Sequence, residues 1–386
     1  MLDKPAGRKP RTCIVSMRRF NRLASSCSNY EFEDVIASVD DATLLAPAPK
    51  SSFSYRKWMV ERMYWRKGLH HLASMVDIGL DPLYMDTEHD LLVMICGKTS
   101  DLIFLNSIKD WRHKAKKKIC ILVELWANMI PDYRFHLEIL REFDHTFLCF
   151  NSTVEPFRTA LNLPCSHLPL GVDVVRFSPF PSPPEKCVDV LSMGRRLEAT
   201  HREMMEMAAR REIFYIYDTI PGMLVQPRDH REHREMLSNT AKRSKMFVTY
   251  PAKVDVHEET HGQSEVGARY FEGAAAGAAL VGKAPSNPLF SRDFCWDDAL
   301  FDLGSTQEEA FDRISSLLKQ PERLRMSGLQ NAVGALRGFD WAHRWETVLD
   351  RLGMEHLPAL RDRTRLLSEM AETAQAHLGH RIPAAN

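Results

Sequence analysis

Two acidic residues, Glu265 and Glu272, lie seven positions apart in the stretch SEVGARYFEGAAAGAALVG, which covers residues 264–282. If the stretch is helical, both carboxylates fall on one face, because seven residues make almost two turns of about 3.6 residues. Two acceptors two turns apart can take hydroxyl groups from both ends of a polyhydroxylated ligand. A nucleotide sugar has that layout, with ribose hydroxyls, a diphosphate and sugar hydroxyls in a row. The alternative is a plain acidic helix face in solvent.

The same stretch predicts a helix whose N-terminal end can bind an anion. Ser264 is a suitable N-cap, because its hydroxyl can accept a hydrogen bond from a backbone N–H of the first turn. The helix is expected to run to about Ala276, with Gly277 in the left-handed conformation that ends many helices. Residues 278–282 then form a strand, and the small residues before it let the helix end pack closely on the sheet. The free N–H groups and the positive end of the helix dipole suit a phosphate group.

The first half of the chain alternates short apolar runs with longer amphipathic stretches. The apolar runs lack in-and-out alternation, which is typical of strands in a parallel sheet covered on both faces. They lie at 12–17, 90–96, 118–125 and 145–151, and the stretches 54–76 and 131–143 are long enough for crossover helices. The sequence therefore predicts an α/β domain over residues 1–170.

A proline-rich segment at 171–185 is expected to link this domain to a second one, since proline fits neither a helix interior nor a central strand. The second domain is expected over 186–345, and helices over 346–386 are expected to pack back across the domain junction. Its strands are predicted at 187–194, 212–218 and 245–251 and its helices at 201–210 and 229–244. Two open α/β domains predict a ligand site in a cleft between them, at the carboxyl ends of the strands.

The charge balance argues against nucleic acid as a partner. Lysine plus arginine equals aspartate plus glutamate at 51 each, so no overall field attracts a polyanion. The eight cysteines are scattered without a CxxC pair, which suits a reducing cytoplasm. The N-terminus does not have the pattern of a secretory signal, and no apolar run approaches the roughly 18 residues of a membrane span. A cytoplasmic two-domain protein is therefore expected.

Four segments of the C-terminal half resemble, in order, the retaining GT-B glycosyltransferases of the group 1 and family 4 type. LPLGVDVVRFSP (168–179) is similar to the family's PxGVDxxxFxP segment, and VLSMGRR (190–196) to its strand followed by GR. Residues 264–282 resemble the donor motif ExFGxxxxEAxAxGxPVV, and FDWAHRWETVL (339–349) resembles the closing aromatic-x-W helix. The resemblance implies a GT-B fold, in which two Rossmann-like doubly wound domains face a central cleft.

The resemblance also assigns roles to residues of the second domain. Glu272 would bind the ribose hydroxyls of the donor, and Arg195 would neutralise the departing diphosphate, since arginine stays charged and matches phosphate oxygens. Glu265 would contact the transferred sugar as a second catalytic candidate. The family's first glutamate stands eight residues before the second, however, and this chain has Ser264 there. The remaining donor-binding candidates are Ser264, Gly267, Arg269, Arg196 and His201.

The resemblance implies transfer of a hexose from a nucleotide diphosphate sugar to a glycan or lipid-linked acceptor, with retention at the anomeric carbon. The chain has no D-x-D triplet, the metal-binding device of the other common glycosyltransferase fold, so no metal and no cofactor beyond the nucleotide sugar is expected. Two alternatives stay open. One is a nucleotide-sugar epimerase of the same fold, and the other is an inactive nucleotide-sugar-binding module, because the first glutamate is displaced.

Other segments carry weaker hypotheses. Glu124 and Trp126 follow a predicted strand and can reach sugar or acceptor there, with core or rim packing as an equal alternative. Residues 53–67 mix aromatic side chains with arginine and lysine, which predicts either an ordinary surface helix or a peripheral contact at the inner membrane face. HEETH over 257–261 fits the zinc-protease pattern, but a helix there would be barely one turn, so a solvated loop is preferred to a zinc hydrolase. The helix at 229–244 is interpreted as exposed, with internal ion pairs.

Overall fold

The computed structural model describes residues 9–66, 68–220 and 224–379. Within them the chain forms two compact units. The first unit holds the chain up to Arg22 together with Glu33–Pro169, and the second holds Leu23–Phe32 together with the chain from Leu170 onward. The sequence analysis expects the segment 23–32 in the first domain, whereas the structure groups it with the second unit. Residues 1–8, Lys67 and 380–386, which the predicted segments include, lie outside the described residues.

A parallel sheet forms the centre of the first unit. The strands of this unit are β1 (Thr12–Val15), β2 (Ala42–Leu45), β3 (Leu83–Tyr84), β4 (His89–Lys98), β5 (Ile108–Lys109), β6 (Ala115–Glu124), β7 (His145–Leu148) and β8 (Cys165–His167). In the described part of the chain, six of them form one sheet in the order β2-β1-β4-β6-β7-β8, and β3 pairs separately with β5. All four residues of β1 and six successive residues of β4 are buried, so both faces are covered, as the pattern predicts.

The helices of this unit are shorter than predicted. They are α1 (Cys27–Val39), α2 (Phe53–Tyr64), α3 (His70–Ala73), α4 (Arg134–Leu137) and α5 (Val154–Leu161), with 3₁₀ helices at Ala24–Ser26, Thr99–Ser107, Ala127–Met129, Glu138–Glu142 and Asn151–Thr153. α1 belongs to the second unit up to Phe32 and to the first from Glu33. The stretch 54–76, which is long enough for a crossover helix, does not form one continuous helix. α2 ends at Tyr64, and Gly68 takes a left-handed conformation with φ of 88° before α3 begins. The stretch 131–143 holds only the single turn α4 and a 3₁₀ helix.

A second parallel sheet forms the centre of the other unit. Its strands are β9 (Val188–Ser192), β10 (Tyr215–Tyr217), β11 (Ser244–Thr249), β12 (Ala279–Gly282) and β13 (Leu300–Asp302). Over the residues described, they lie in the order β10-β9-β11-β12-β13, and every neighbouring pair is parallel. The chain therefore has the two parallel α/β sheets that a GT-B architecture requires.

The helices of the second unit are α6 (Val174–Phe177), α7 (Glu198–Ala209), α8 (His230–Lys242), α9 (His257–Thr260), α10 (Ala268–Ala275), α11 (Pro288–Asp293), α12 (Gln307–Leu318), α13 (Pro321–Gly338), α14 (Trp341–Leu352) and α15 (Pro358–Gly379). The predicted linker contains the single turn α6. The final helix, α15, packs on α13 and α14, and its Arg363 pairs with Asp173 at 2.7 Å and Asp340 at 2.8 Å.

The small residues of α10 pack directly on the sheet. A Cβ atom added to Gly273 would lie 2.6 Å from Leu280 Cδ2 and 3.0 Å from the Phe247 ring, so glycine alone fits at that distance. Gly277 follows the helix with φ of 65° and turns the chain into β12. The predicted reason for the small residues, close packing of the helix end on the sheet, is therefore confirmed.

In the described part of the chain, no helix is both long enough and apolar enough to cross a membrane.

Candidate active site

The helix that carries Glu272 begins later than the sequence predicts. Gly267 is its N-cap, in an extended conformation, and Ser264 lies three residues upstream. The Ser264 hydroxyl instead accepts a hydrogen bond from the backbone N–H of Ser286 at 3.1 Å. Glu265 therefore precedes the helix, and the prediction that it shares a helix face with Glu272 is wrong.

Glu265 is a buried residue that ties two loops together. Its Oε2 accepts a hydrogen bond from Asn287 Nδ2 at 3.0 Å, and its Oε1 accepts one from Gln263 Nε2 at 2.8 Å. Its backbone carbonyl accepts a hydrogen bond from the N–H of Ala252 at 3.0 Å. These bonds hold the segment before α10 in a fixed, non-helical course, which explains why the helix starts only after Gly267.

Glu272 is 1% exposed, and each of its carboxylate oxygens accepts a hydrogen bond from an arginine. Arg234 Nη1 bonds to Oε1, and Arg269 Nη1 bonds to Oε2. Burial acts to raise the pKa of Glu272, but the guanidinium groups of Arg269 and Arg234 outweigh it and lower the pKa to about 2. The carboxylate is therefore negatively charged throughout the neutral pH range.

Arg234 is the central cation of this group and is only 2% exposed. Its Nε and Nη2 donate to the two oxygens of Glu31 at 2.7 and 3.0 Å, while Nη1 serves Glu272. Its guanidinium carbon lies 4.7 Å from the ring centre of Phe177. The two carboxylates raise the pKa of Arg234 against the opposing effect of burial, so the charge is permanent.

Glu31 completes the group. Besides Arg234, its Oε1 accepts hydrogen bonds from Trp341 Nε1 at 3.1 Å and from the backbone N–H of Asp173 at 2.9 Å. A buried carboxylate with this many donors is well satisfied. Segment 23–32 thus supplies an anion to the interior of the second unit, which the sequence analysis did not foresee.

The loop after β9 lies beside Arg269. Gly194 has φ of 90°, and a Cβ atom on it would lie 3.4 Å from Arg269 Nε. The Gly194 N–H donates to Asp218 Oδ2 at 3.0 Å, and Arg196 Nη1 donates to Asp218 Oδ1 at 2.7 Å. Arg196 also lies over the ring of Tyr217, 5.5 Å from its centre. Of the predicted phosphate-binding arginines, Arg196 therefore lies in the loop that follows β9, and Arg269 lies beside that loop.

Arg195 occupies a more exposed position in the same loop. Its Nη1 donates to both carboxylate oxygens of Asp255, at 2.8 and 2.9 Å. The side chain is 36% exposed and pairs with an acid that is 40% exposed, so the pair is well solvated and weak. Arg195 can therefore exchange Asp255 for a ligand phosphate at small energetic cost.

His201 is a less suitable phosphate ligand than predicted. Its Nδ1 lies 2.8 Å from the hydroxyl of Tyr215, and its ring packs edge-on against Tyr217. Burial and the nearby Arg196 lower the pKa of His201, so the ring is neutral near pH 7. The structure therefore places His201 in the packing beneath the loop.

The two acceptor-side candidates are in contact with each other. Trp126 Nε1 donates to Glu124 Oε1 at 3.0 Å, at the end of β6. Trp126 is fully buried and packs against Phe150, with ring centres 4.8 Å apart. Its ring has no free face for a sugar, so the packing alternative is correct for Trp126.

The HEETH segment forms the single turn α9, as expected. His261 lies beyond its end in a left-handed conformation with φ of 49°, so His257 and His261 do not share a helical face. Within the residues described, no group of three or more histidine, cysteine or acidic side chains is arranged to hold a metal ion.

The sequence analysis missed three residues of this site: Glu31, Asp218 and Arg234. A signal for Arg234 exists, because α8 buries Arg234, Leu237, Ser238 and Ala241, which follow the spacing of one helical face. The prediction of an exposed helix at 229–244 is therefore wrong for that face.

Comparison with known proteins gives a family match for part of the chain. Residues 195–350 match the sequence model of a family described as glycosyl transferase-like, which is less than half of the chain. The match contains part of the loop after β9, the helices α8 and α10, and most of α14. No relative was found among curated proteins.

Several solved structures are similar to this chain at low sequence identity. An α-glucosyltransferase in complex with UDP-glucose and DNA containing an abasic site is 10% identical, with a TM-score of 0.53 over 89% of this chain and 99% of its own. TarM of S. aureus is 10% identical with a TM-score of 0.44, over 67% of this chain and 55% of its own. A glycosyltransferase of Rickettsia africae is 8% identical with a TM-score of 0.45, over 88% of this chain and 97% of its own. This chain thus spans about half the length of TarM and nearly all of the other two.

Residues 195–350 thus match a glycosyl transferase-like family model, and the fold is similar to that of the solved α-glucosyltransferase. The predicted fold class and enzyme class are confirmed.

Proposed function

We propose that the enzyme transfers a hexose from a nucleotide diphosphate sugar to a glycan or lipid-linked acceptor, with retention and without a metal ion. The observation that carries the proposal is the position of Arg269. This arginine is held by the buried Glu272, lies against the Gly194 loop and stands in the first turn of α10. A cation and free backbone N–H groups at one helix end form the expected binding site for a diphosphate.

The chemistry needs stabilisation of the departing nucleoside diphosphate. Negative charge grows on the phosphate oxygens as the bond to the anomeric carbon breaks, and fixed cations stabilise that charge most when water is excluded. Arg269 and the N–H groups at the start of α10 supply fixed positive charge. Arg195 is available to join them, because its bond to Asp255 is exposed. Retention follows from the family resemblance.

We also propose that Glu272 binds the donor ribose while it keeps its bond to Arg269. Each carboxylate oxygen accepts one arginine N–H. A carboxylate oxygen has room for a second donor, so a ribose hydroxyl can be added without breaking either ion pair.

UDP-glucose is the first donor to test, because the α-glucosyltransferase of similar fold was solved with it. DNA was bound to that protein as well. The balanced charge of this chain, 51 basic against 51 acidic residues, favours a glycan or lipid-linked acceptor over a nucleic acid. A DNA duplex therefore belongs in the acceptor panel as the competing outcome.

The decisive experiment is a thermal-shift screen with UDP, GDP, ADP and their sugar conjugates, followed by an assay for nucleoside diphosphate release with and without EDTA. We expect one nucleotide to stabilise the protein and its sugar conjugate to be turned over equally well with EDTA present. Arg195→Ala is expected to lower turnover without lowering the melting temperature, and Arg202→Ala, an exposed arginine of α7, serves as its control. Absence of any nucleotide shift refutes the proposal.

Product analysis separates the two alternatives. An epimerase converts the donor sugar without any acceptor, and an inactive binding module shows a thermal shift but releases no diphosphate.

A surface of α2 is proposed to bring the enzyme to a lipid-linked acceptor. Tyr55, Trp58 and Trp65 are exposed, and Arg62 lies over the Trp58 ring at 5.1 Å. Exposed aromatic rings with interleaved cations suit an anionic lipid surface. Co-sedimentation with phosphatidylglycerol vesicles is expected and should be lost in Trp58→Ser/Trp65→Ser. Equal sedimentation of this variant would contradict the membrane contact.

A further inference from the structure

We infer that Arg234 and Glu31 are positioning residues, which fix Arg269 for binding the donor diphosphate. The inference rests on the proposed function, in that it specifies how the diphosphate site is held in place. Neither residue belongs to the sequence motifs, and neither lies on α10.

Four side chains form a continuous series of ion pairs: Glu31, Arg234, Glu272 and Arg269. The first three are each at most 2% exposed, whereas Arg269 is 31% exposed at its side chain. Charges alternate along the series, so it is neutral as a whole. Arg269 is the one member with appreciable access to solvent, so we place the donor diphosphate against it.

The buried end of the series makes Glu272 rigid. Arg234 donates through three nitrogens in a planar fork, so its orientation is set by Glu31, which is itself held by Trp341 and the backbone of Asp173. Glu272 cannot turn away without leaving Arg234 Nη1 without its acceptor in the interior, which is unfavourable.

Rigid Glu272 in turn gives Arg269 a fixed partner. An arginine that pairs with an exposed acid three residues away gains little and keeps most of its rotamers. Here the acid is buried and charged, and Gly194 lies so near that a Cβ atom added to it would be 3.4 Å from Arg269 Nε. Arg269 is thus held before the ligand arrives, and less side-chain entropy is lost on binding.

The test measures pyrophosphate and UDP affinity by calorimetry on the full-length protein. Arg234→Gln removes the buried cation, Arg234→Lys keeps the charge without the fork, and Glu31→Gln keeps the shape of the anion. Arg231→Lys, on the exposed side of the same helix, is the matched control. Circular dichroism and melting temperature identify the variants that fold.

We expect Arg234→Gln and Glu31→Gln to weaken pyrophosphate binding by about tenfold or more, the loss of one charge-assisted hydrogen bond. Arg234→Lys should recover part of the affinity, and Arg231→Lys should match the wild type. The far-UV circular dichroism spectrum should stay unchanged in all four, which a general loss of structure would not allow. If Arg234→Gln does not fold, Glu31→Gln is judged by the same criterion.

The outcomes separate this inference from the proposed function. Folded variants with wild-type pyrophosphate affinity overturn the inference and leave the glycosyltransferase proposal intact. A wild-type protein that binds no pyrophosphate overturns the inference directly. The third outcome is that pyrophosphate binding depends on Arg234 and Glu31, but the wild-type protein releases no diphosphate from any nucleotide sugar. This outcome overturns the proposed function alone.

Discussion

Replacing Glu272 with glutamine removes a buried charge and keeps the size of the side chain. The carboxyl has a pKa of 4.5 in an ordinary setting and about 2 in the folded protein. This difference corresponds to about 3 kcal/mol of stability at neutral pH, close to the cost of breaking a buried ion pair. Because the folded state has the lower pKa, the stabilisation is fully present above about pH 4.5. It is lost as the pH falls towards 2.

The assay is urea unfolding of wild type and Glu272→Gln at pH 7 and pH 3, followed by circular dichroism and tryptophan fluorescence. The free energy of unfolding of the variant should be lower than that of the wild type by about 3 kcal/mol at pH 7. This gap in unfolding free energy should be smaller by about 2 kcal/mol at pH 3. Glu369→Gln, which removes an exposed acid of α15, is the control and should show a small gap at both pH values. A gap of equal size at both pH values would refute the assignment of a charged, doubly paired Glu272.

Two more perturbations follow from the structure. Glu33 is buried, bonded to Ser16 and paired with Arg18 at 2.8 Å; burial outweighs the arginine and raises the pKa of Glu33 from 4.5 to about 7, so its ionisation costs stability as the pH rises through this range. Relative to the wild type, the free energy of unfolding of Glu33→Gln should therefore increase by about 2 kcal/mol between pH 5 and pH 8, as measured by urea unfolding. A difference in unfolding free energy that does not change with pH would contradict this. A Cβ on Gly328 would lie 2.3 Å from the carbonyl oxygen of Gly277. Gly328→Ala should thus cost about 1–3 kcal/mol, whereas Gly338→Ala on the same helix, with open space around it, should cost nothing measurable.

Much of the fold is visible in the sequence because buried parallel strands are continuous apolar runs. β4, β6 and β7 lie where those runs predict them, and α10 is followed by Gly277 and β12 as expected. The strands β2 and β8 are only partly buried, so they lack the continuous apolar run of a strand covered on both faces. The break between α2 and α3 depends on the backbone conformation of one glycine, which an amphipathic pattern does not reveal.

The chemistry of the site is only partly visible in the sequence. Glu272 is found from its spacing to Glu265 and from the family resemblance, and the resemblance also points to Arg269. Their partner Arg234 lies in a segment so rich in charge that it resembles a solvated helix, although its burial follows the spacing of the apolar residues on α8. Glu31 has no local signal at all, since its role depends on contacts with distant parts of the chain.

The ion pair between Glu31 and Arg234 joins residues 203 positions apart. During synthesis Glu31 leaves the ribosome long before Arg234, so the interior of the second unit stays incomplete until most of the polypeptide exists. A fragment that starts at Leu170 would bury Arg234 with half of its counter-charge missing and leave the Trp341 indole N–H without its acceptor. Anyone who wishes to produce the second unit separately must therefore graft residues 23–32 onto it, because the boundary drawn along the chain is not the boundary of the folded unit.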